Sequence, residues 1–363
     1  RVLLSLAEHL LHLPDQQSIG DLIDSRLNAT HWHIYFAHHL ADIHQTHFWQ
    51  QGISTKRITV DTDAAGVFRE LVKRIDSNII SDILLQMTDA LREQIIYSSD
   101  IHQGLQKLNS LPDKLTCDFT ILGENAVSAE AARQYYNHCL DAITAIAAQR
   151  NEKRPIPSLS LKLSALHPRL EPLKSSSVIT ALTQRMQHLL IIARSENVQL
   201  MIEAEESNQQ ELVLHVLDNL LCGDLCQGWG GLGITLQAYS KRAIPILGWL
   251  NFMAEKQQTS IPVRLVKGGY LNREITQAAL KELPDYPVYT QEKTTELSYL
   301  LCARYLLSDH CPLLIPRFAT HNQKTLAHVL HIAGQSLKPV ELQRQQGSEK
   351  AIHNRLSLRG SPV

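Results

Sequence analysis

From residue 115 onward, short apolar runs alternate with longer stretches whose apolar residues recur at helical spacing. Phe119–Gly123 reads as a strand, followed by a helix that starts near Ser128 with Glu130 in its first turn. Ser158–Ala165 alternates apolar and polar positions. Val178–Arg194 then sets Ile179, Leu182, Met186, Leu189 and Ala193 on one helical face. The rhythm continues through strand Val198–Glu205, helix Asn208–Leu221, strand Leu232–Tyr239, helix Ala243–Lys256 and strand Ile261–Lys267. Helix Arg273–Leu280, the Tyr286–Thr290 segment, helix Thr295–Leu307, strand Leu313–Thr320 and helix Gln323–Ala333 come next, and Glu341–Gly347 reads as a seventh strand. Such βα alternation predicts a parallel sheet, either closed into a barrel or open and doubly wound. The polar positions decide between them. Glu124, Lys162, Glu203, Glu205, Gln237, Tyr239, Arg264, Lys267 and His321 fall within or just after six different strands. A barrel gathers such positions into one mouth, whereas an open sheet concentrates its chemistry at one switch point. The pattern therefore favours an α/β (βα)8 TIM-type barrel.

Upstream, residues 1–97 read as an all-α segment, with Leu3–Leu13 broken at Pro14, a second helix toward Leu27, then Ala64–Arg74 and Ile79–Arg92. His102–Leu108 adds a short helix. The expected organisation is a helical segment over 1–97, the barrel over 98–351 and a divergent tail over 352–363. Asn28–Gln51 is rich in histidine, but no carboxylate or cysteine completes a familiar metal spacing, so no metal is expected.

Composition changes this picture little. Hydrophobic content of 44% and charged content of 20% are those of an ordinary soluble globular protein. A formal net charge of -1 gives no electrostatic case for nucleic acid or a strongly anionic membrane surface. The six cysteines form no CxxC pair, which reads as reduced thiols in a cytosolic protein. No apolar run approaches the roughly 18 residues of a membrane helix. The first residue is Arg1 rather than methionine, which reads as a piece of something longer. Gly228–Gly233 satisfies the GxGxxG pattern, yet it follows a helix and feeds a strand, the reverse of a dinucleotide-binding turn.

The chemistry concentrates in Ile261–Tyr270. A β-branched run carries Arg264 and Lys267 inside it and ends on Gly268 and Gly269. Cations in a strand buried on both faces need an anion or carboxylate beside them. Two readings stay open on the residues alone: structural ion pairs, or an anionic cofactor at the carboxyl end of the strand.

Six stretches then occur in one order: Leu161–Arg169, Ile202–Glu206, Gln237–Arg242, Arg264–Tyr270, Tyr286–Thr290 and Phe318–Asn322. Together they closely resemble the proline dehydrogenase domain of the proline utilization A family of bacterial bifunctional flavoenzymes. The resemblance implies an FAD-dependent barrel that oxidises L-proline to Δ1-pyrroline-5-carboxylate and passes electrons to a membrane quinone. It further implies a cytoplasmic protein, peripheral on the inner membrane in its full-length form, and a longer multidomain parent chain. Carried over, Gln237, Arg264, Lys267, Gly268, Gly269, Thr290, His321 and Asn322 would hold FAD. Lys162, Glu203 and Tyr270 would serve the proline site, with Glu124 as its gate.

Departures from the family pattern stand out at four places. Thr120 occupies a position where the family has an aspartate, with Asp118 two residues earlier, Glu203 replaces another aspartate, and Gly269 replaces the usual alanine, a mild change. The chain also reads as truncated at both ends, without an eighth strand, a last helix or the two consecutive arginines that bind the proline carboxylate. Three expectations result: Glu203 lies within ion-pair reach of Lys162, Arg264→Met releases flavin while leaving the fold mostly intact, and proline binds poorly. Two alternatives stand beside the enzyme: a catalytically impaired or inactive fragment that retains flavin, and an unrelated barrel acting on a phosphorylated small molecule.

Overall fold

The computed structural model describes residues 96–112, 115, 117–123, 125–150, 154–168 and 175–346. The helices expected over 1–95, Glu124, and the tail from 347 lie outside the described residues. The chain divides into two units between Tyr97 and Ser98, and the second unit carries the sheet.

Helix α1 (Ile101–Asn109) leads into strand β1 (Asp118–Thr120), and α2 (Ala129–Ala148) into β2 (Ser158–Leu161). A short α3 (Leu163–Leu166) and α4 (Ser175–Ser195) precede β3 (Leu200–Ile202); α5 (Ser207–Leu221) precedes β4 (Leu232–Gln237), and α6 (Ala243–Lys256) precedes β5 (Ile261–Val266). Helices α7 (Leu271–Leu280) and α8 (Glu292–Leu306) lead to β6 (Leu314–Ala319), and α9 (Gln323–Ala333) to β7 (Glu341–Gln343). The helix starts follow local chemistry. Asp100, Ser128 and Asn322 each stand just before a helix and accept a first-turn backbone N–H on the side chain, which satisfies a donor the helix leaves orphaned.

The seven strands among the described residues pair in parallel in sequence order, as a singly wound barrel sheet does. Side chains alternate across each strand. One face sends Leu159, Leu161, Leu200, Ile202, Ile234, Leu236, Val263, Leu265 and Phe318 into a core shared with Leu182, Met186, Val216, Leu250, Tyr299 and Leu306 of the surrounding helices. The other face is polar and equally buried, carrying Ser158, Ser160, Thr235, Gln237, Arg264 and Arg317. Arg264 on β5 forms an ion pair with Asp118 on β1, four strands away in the sheet order. In a flat sheet those strands would stand about 19 Å apart, beyond the reach of one side chain. The sheet is therefore curled so that its polar face encloses an interior, a (βα) barrel with seven strands among the described residues.

Strand ends are shorter than the sequence pattern implies. Val198–Glu205 contracts to Leu200–Ile202, although the Glu203 amide still donates to the Leu161 carbonyl at 2.9 Å. Ser158–Ala165 splits into strand β2 and helix α3. Tyr286–Thr290 forms no strand; a single antiparallel bridge joins Val288 to Ser240.

Candidate active site at the carboxyl ends of the strands

Arg264 organises the interior. Its Nη1 donates to Glu203 Oε1 at 2.8 Å and to Ser160 Oγ at 3.0 Å, its Nε donates to Gln343 Oε1 at 2.6 Å, and its Nη2 donates to Asp118. One side chain on β5 thus touches residues of β1, β2, β7 and the end of β3. A guanidinium has five N–H donors; four are engaged and one on Nη2 is uncommitted. Only 7% of Arg264 is exposed. Burial alone would favour its neutral form, but the charges of Asp118 and Glu203 outweigh it and raise the pKa further.

The structure departs from the sequence expectation at Glu203. It pairs with Arg264 and makes no ion pair with Lys162, whose Nζ donates to the Gly123 carbonyl at 3.5 Å. The reason is side-chain direction: Glu203 follows β3 and reaches across the interior to β5, while Lys162 leaves β2 toward the loop after β1. The Gly123 and Ala126 backbones on either side of residue 124 are held there, Ala126 N donating to the Ser164 carbonyl at 2.9 Å. The Lys162 backbone N–H also donates to the Tyr135 hydroxyl at 3.0 Å.

Gln237, 5% exposed, braces two neighbouring loops. Its Nε2 donates to the Glu205 carbonyl at 2.8 Å, and its Oε1 accepts from Gly269 N at 3.2 Å. Lys267 meets Glu296 of α8 at 2.5 Å, and Thr325 Oγ1 donates to the same carboxylate. Burial raises the Glu296 pKa, but the bonds from Lys267 and Thr325 outweigh it and hold the carboxyl below its ordinary value. Thr290, His321 and Asn322 lie exposed on the rim, with Asn322 capping α9. Tyr270 is half-buried at the start of α7; burial, then Glu205 and Glu203, push its phenol up to about 12.

Residues without a sequence signal complete the interior. Asp118 accepts from Ser158 Oγ and Ser160 Oγ, both at 2.6 Å. Arg317 on β6, in register with Arg264, meets Glu341 at 3.1 Å through Nε and donates from Nη2 to Gln199. Glu274 of α7 accepts from Ser207 N at 2.7 Å and tethers the start of α5. A period-two scan of β6 would have placed Arg317 on the inner face; the partners of Asp118 carry no local signal.

Glu205 accepts from both the backbone and the hydroxyl of Ser164 at 3.0 Å. Burial raises its pKa; the Ser164 bonds and Lys162 act against that, and Glu203 adds to it. A folded-state pKa above the unfolded one means that the folded chain binds more protons, so stability falls as pH rises from the ordinary carboxylate range through the raised value. Glu205→Gln should remove that decline. Urea unfolding over a pH series from acid to neutral measures it, and an unchanged pH slope would contradict the assignment.

This arrangement, a polar barrel interior with cations and carboxylates at the carboxyl ends of its strands, has known counterparts. The family model described as proline dehydrogenase matches residues 103–363. The chain belongs to the proline dehydrogenase family. It is 33% identical over 349 residues to the bifunctional protein PutA of Salmonella typhimurium, covering 94% of this chain and 26% of that protein. It is 27% identical over 158 residues to the hydroxyproline dehydrogenase of Bos taurus, covering 41% of this chain and 33% of that protein. A crystal structure of Bradyrhizobium japonicum proline utilization A is similar with a TM-score of 0.72 at 31% identity, covering 99% of this chain and 36% of that one. The chain thus spans about a quarter of the length of the curated PutA it matches. Among the described residues, no helix is long and apolar enough to cross a membrane.

Proposed function

We propose that this chain is a proline-oxidising domain that uses FAD to convert L-proline to Δ1-pyrroline-5-carboxylate and delivers the electrons to a membrane quinone at the cytoplasmic face. The observation that carries this reading is the cluster around Arg264, which in a member of this family sets a fixed cation at the carboxyl ends of the strands. The residues fit the cofactor. Arg264 keeps one N–H uncommitted, and the Gly269 Cα faces open space, with no atom within 4 Å of where a Cβ would stand. Lys267, Thr290, His321 and Asn322 offer a cation, a hydroxyl and polar groups along the rim, which suit a ribityl chain and pyrophosphate. Gln237 is the amide assigned to the isoalloxazine, and Gly268 and Gly269 the backbone beside it.

When bound, FAD supplies the hydride acceptor. The chain's own residues bind and orient the substrate. Lys162 and Tyr270 line the proline site, and Tyr270, with its phenol pushed up to about 12, remains a hydrogen-bond donor at neutral pH. Glu203, paired with Arg264, is assigned to the same site, and Glu124 is assigned as its gate. The proline nitrogen must lose a proton before hydride leaves the adjacent carbon, so carboxylates and a lysine close by tune that step.

A second reading, a family member that retains flavin but has lost turnover, is favoured by one observation: two carboxylates already meet Arg264. Anaerobic titration separates the two. The purified chain should show flavin absorbance that bleaches on adding L-proline and less readily on adding 4-hydroxyproline. Flavin that neither compound bleaches supports the second reading, and a chain that takes up no flavin overturns both.

A further inference from the structure

The carboxylate of Asp118 is held in a way that a surface salt bridge is not. Residues 118 and 120 share the interior face of β1 by the two-residue period of a strand. At 118 both carboxylate oxygens are fixed by serine hydroxyls of β2, Ser158 Oγ to Oδ2 and Ser160 Oγ to Oδ1, each at 2.6 Å. Ser160 also accepts from Arg264 Nη1 at 3.0 Å, so the hydroxyl relays one bond between the cation and the carboxylate. Arg264 then meets two carboxylates, Asp118 through Nη2 and Glu203 through Nη1. Gln343, which accepts from Arg264 Nε, is itself fixed by donating to Glu341 Oε1 at 2.6 Å. The guanidinium has no freedom to swing, and with two carboxylates against one cation the cluster carries a net charge of about -1.

We propose that Asp118 is a positioning residue for the flavin: it fixes the Arg264 guanidinium from the β1 side and offsets its charge, lowering the reduction potential of FAD bound at this mouth. The inference rests on the FAD reading above. On reduction FAD takes up two electrons and, where one proton accompanies them, gains one negative charge. A bare Arg264 beside the ring would favour that charge, and a carboxylate paired with Arg264 works against it. Glu203 shares the task through Nη1, but Asp118 meets Nη2 and is not among the residues assigned to substrate.

The test is a potentiometric titration of the FAD-loaded chain with dithionite as reductant, comparing wild type, Asp118→Asn and Asp118→Glu. Asp118→Asn keeps the shape while removing the charge: its amide oxygen takes the place of Oδ2 beside Ser158 and Arg264, and its Nδ2 donates to Ser160 Oγ in place of the bond accepted there. It should bind reduced FAD about tenfold more tightly relative to oxidised FAD, which for a two-electron couple is a potential about 30 mV more positive. Asp118→Glu should return the potential toward that of wild type. Should Asp118→Asn fail to fold, Asp118→Ser removes the same charge with less bulk, and the same shift is expected. A variant that holds FAD at the wild-type potential overturns the inference alone. Failure of both variants to fold makes Asp118 a structural clamp and also overturns it. A wild-type chain that takes up no FAD overturns the cofactor reading, and this inference falls with it.

Discussion

Arg264→Met should destabilise the fold by about 3–5 kcal/mol, the cost of leaving buried charges without their partner. Two carboxylates depend on this guanidinium, with side-chain exposures of 12% for Asp118 and 18% for Glu203. Methionine matches the volume of the arginine stem but offers neither a charge nor a donor. Ser160 and Gln343 lose their arginine bonds at the same time. Against a total stability of about 5–15 kcal/mol for a typical domain, the loss is large. The expectation from sequence, flavin release with the fold mostly intact, therefore gives way to a coupled loss of both. A combined variant separates the two causes. In Arg264→Met combined with Asp118→Asn and Glu203→Gln, no uncompensated charge remains, and much of the lost stability should return while flavin binding does not. Urea unfolding of wild type, the single variant and the combined variant measures this. An Arg264→Met chain within about 1 kcal/mol of wild type would show that water reaches these carboxylates and that Arg264 is no keystone.

How much of the fold was legible in the sequence depends on which signals are local. The barrel strands declared themselves because Ile261, Val263 and Leu265, or Ile234 and Leu236, repeat every second residue against helices with their own periodic stripe. The inward positions Thr235, Gln237 and Arg264 were visible by the same alternation, as polar residues inside otherwise apolar strands. The partners of Arg264 were not. Asp118 lies 146 residues away in sequence, Ser160 104 and Gln343 79, and no short-range pattern links them. The pairing of Glu203 was misassigned for a related reason. Lys162 and Arg264 are both near the carboxyl ends of strands, and the choice between them depends on how far the sheet curls. The sequence places Glu205 at a strand end and Glu274 inside the first turn of a helix, but shows the partners of neither. Their bonds to the backbone of Ser164 and Ser207 exist only once the neighbouring loops are in place. Strand lengths were overestimated because an extended residue such as Glu203 can donate into the ladder without continuing it.

Gly268 and Gly269 are neighbours in sequence, and the structure predicts different outcomes for the same substitution. Gly268 has φ of +135°, where L side chains are rarely found, and a Cβ there would stand 2.4 Å from the ring of Tyr239. That ring is not free to move aside. Tyr239 N donates to the Lys267 carbonyl at 2.9 Å, its own carbonyl accepts from Tyr289 N at 2.7 Å, and its hydroxyl donates to Glu274 at 3.4 Å. Gly268→Ala must therefore strain the backbone, at about 1–3 kcal/mol, and in addition push the tyrosine or the 267–270 segment out of place. A shift of that segment would move Lys267 from Glu296, Gly269 N from Gln237, and Tyr270 from the start of α7, so cofactor affinity should fall with stability. Gly269→Ala meets no atom within 4 Å and its φ is not positive. Its stability should stay within about 0.5 kcal/mol of wild type, and because alanine is the usual residue at this position in the family the chain resembles, its FAD affinity should be unchanged. The paired measurement is urea unfolding of each variant without flavin, followed by FAD titration. Gly268→Ala should lose both stability and affinity, and Gly269→Ala neither. Equal stability of the two variants would mean that the Tyr239 ring yields freely and that the tight turn at Gly268 does not set the position of Lys267 and Tyr270.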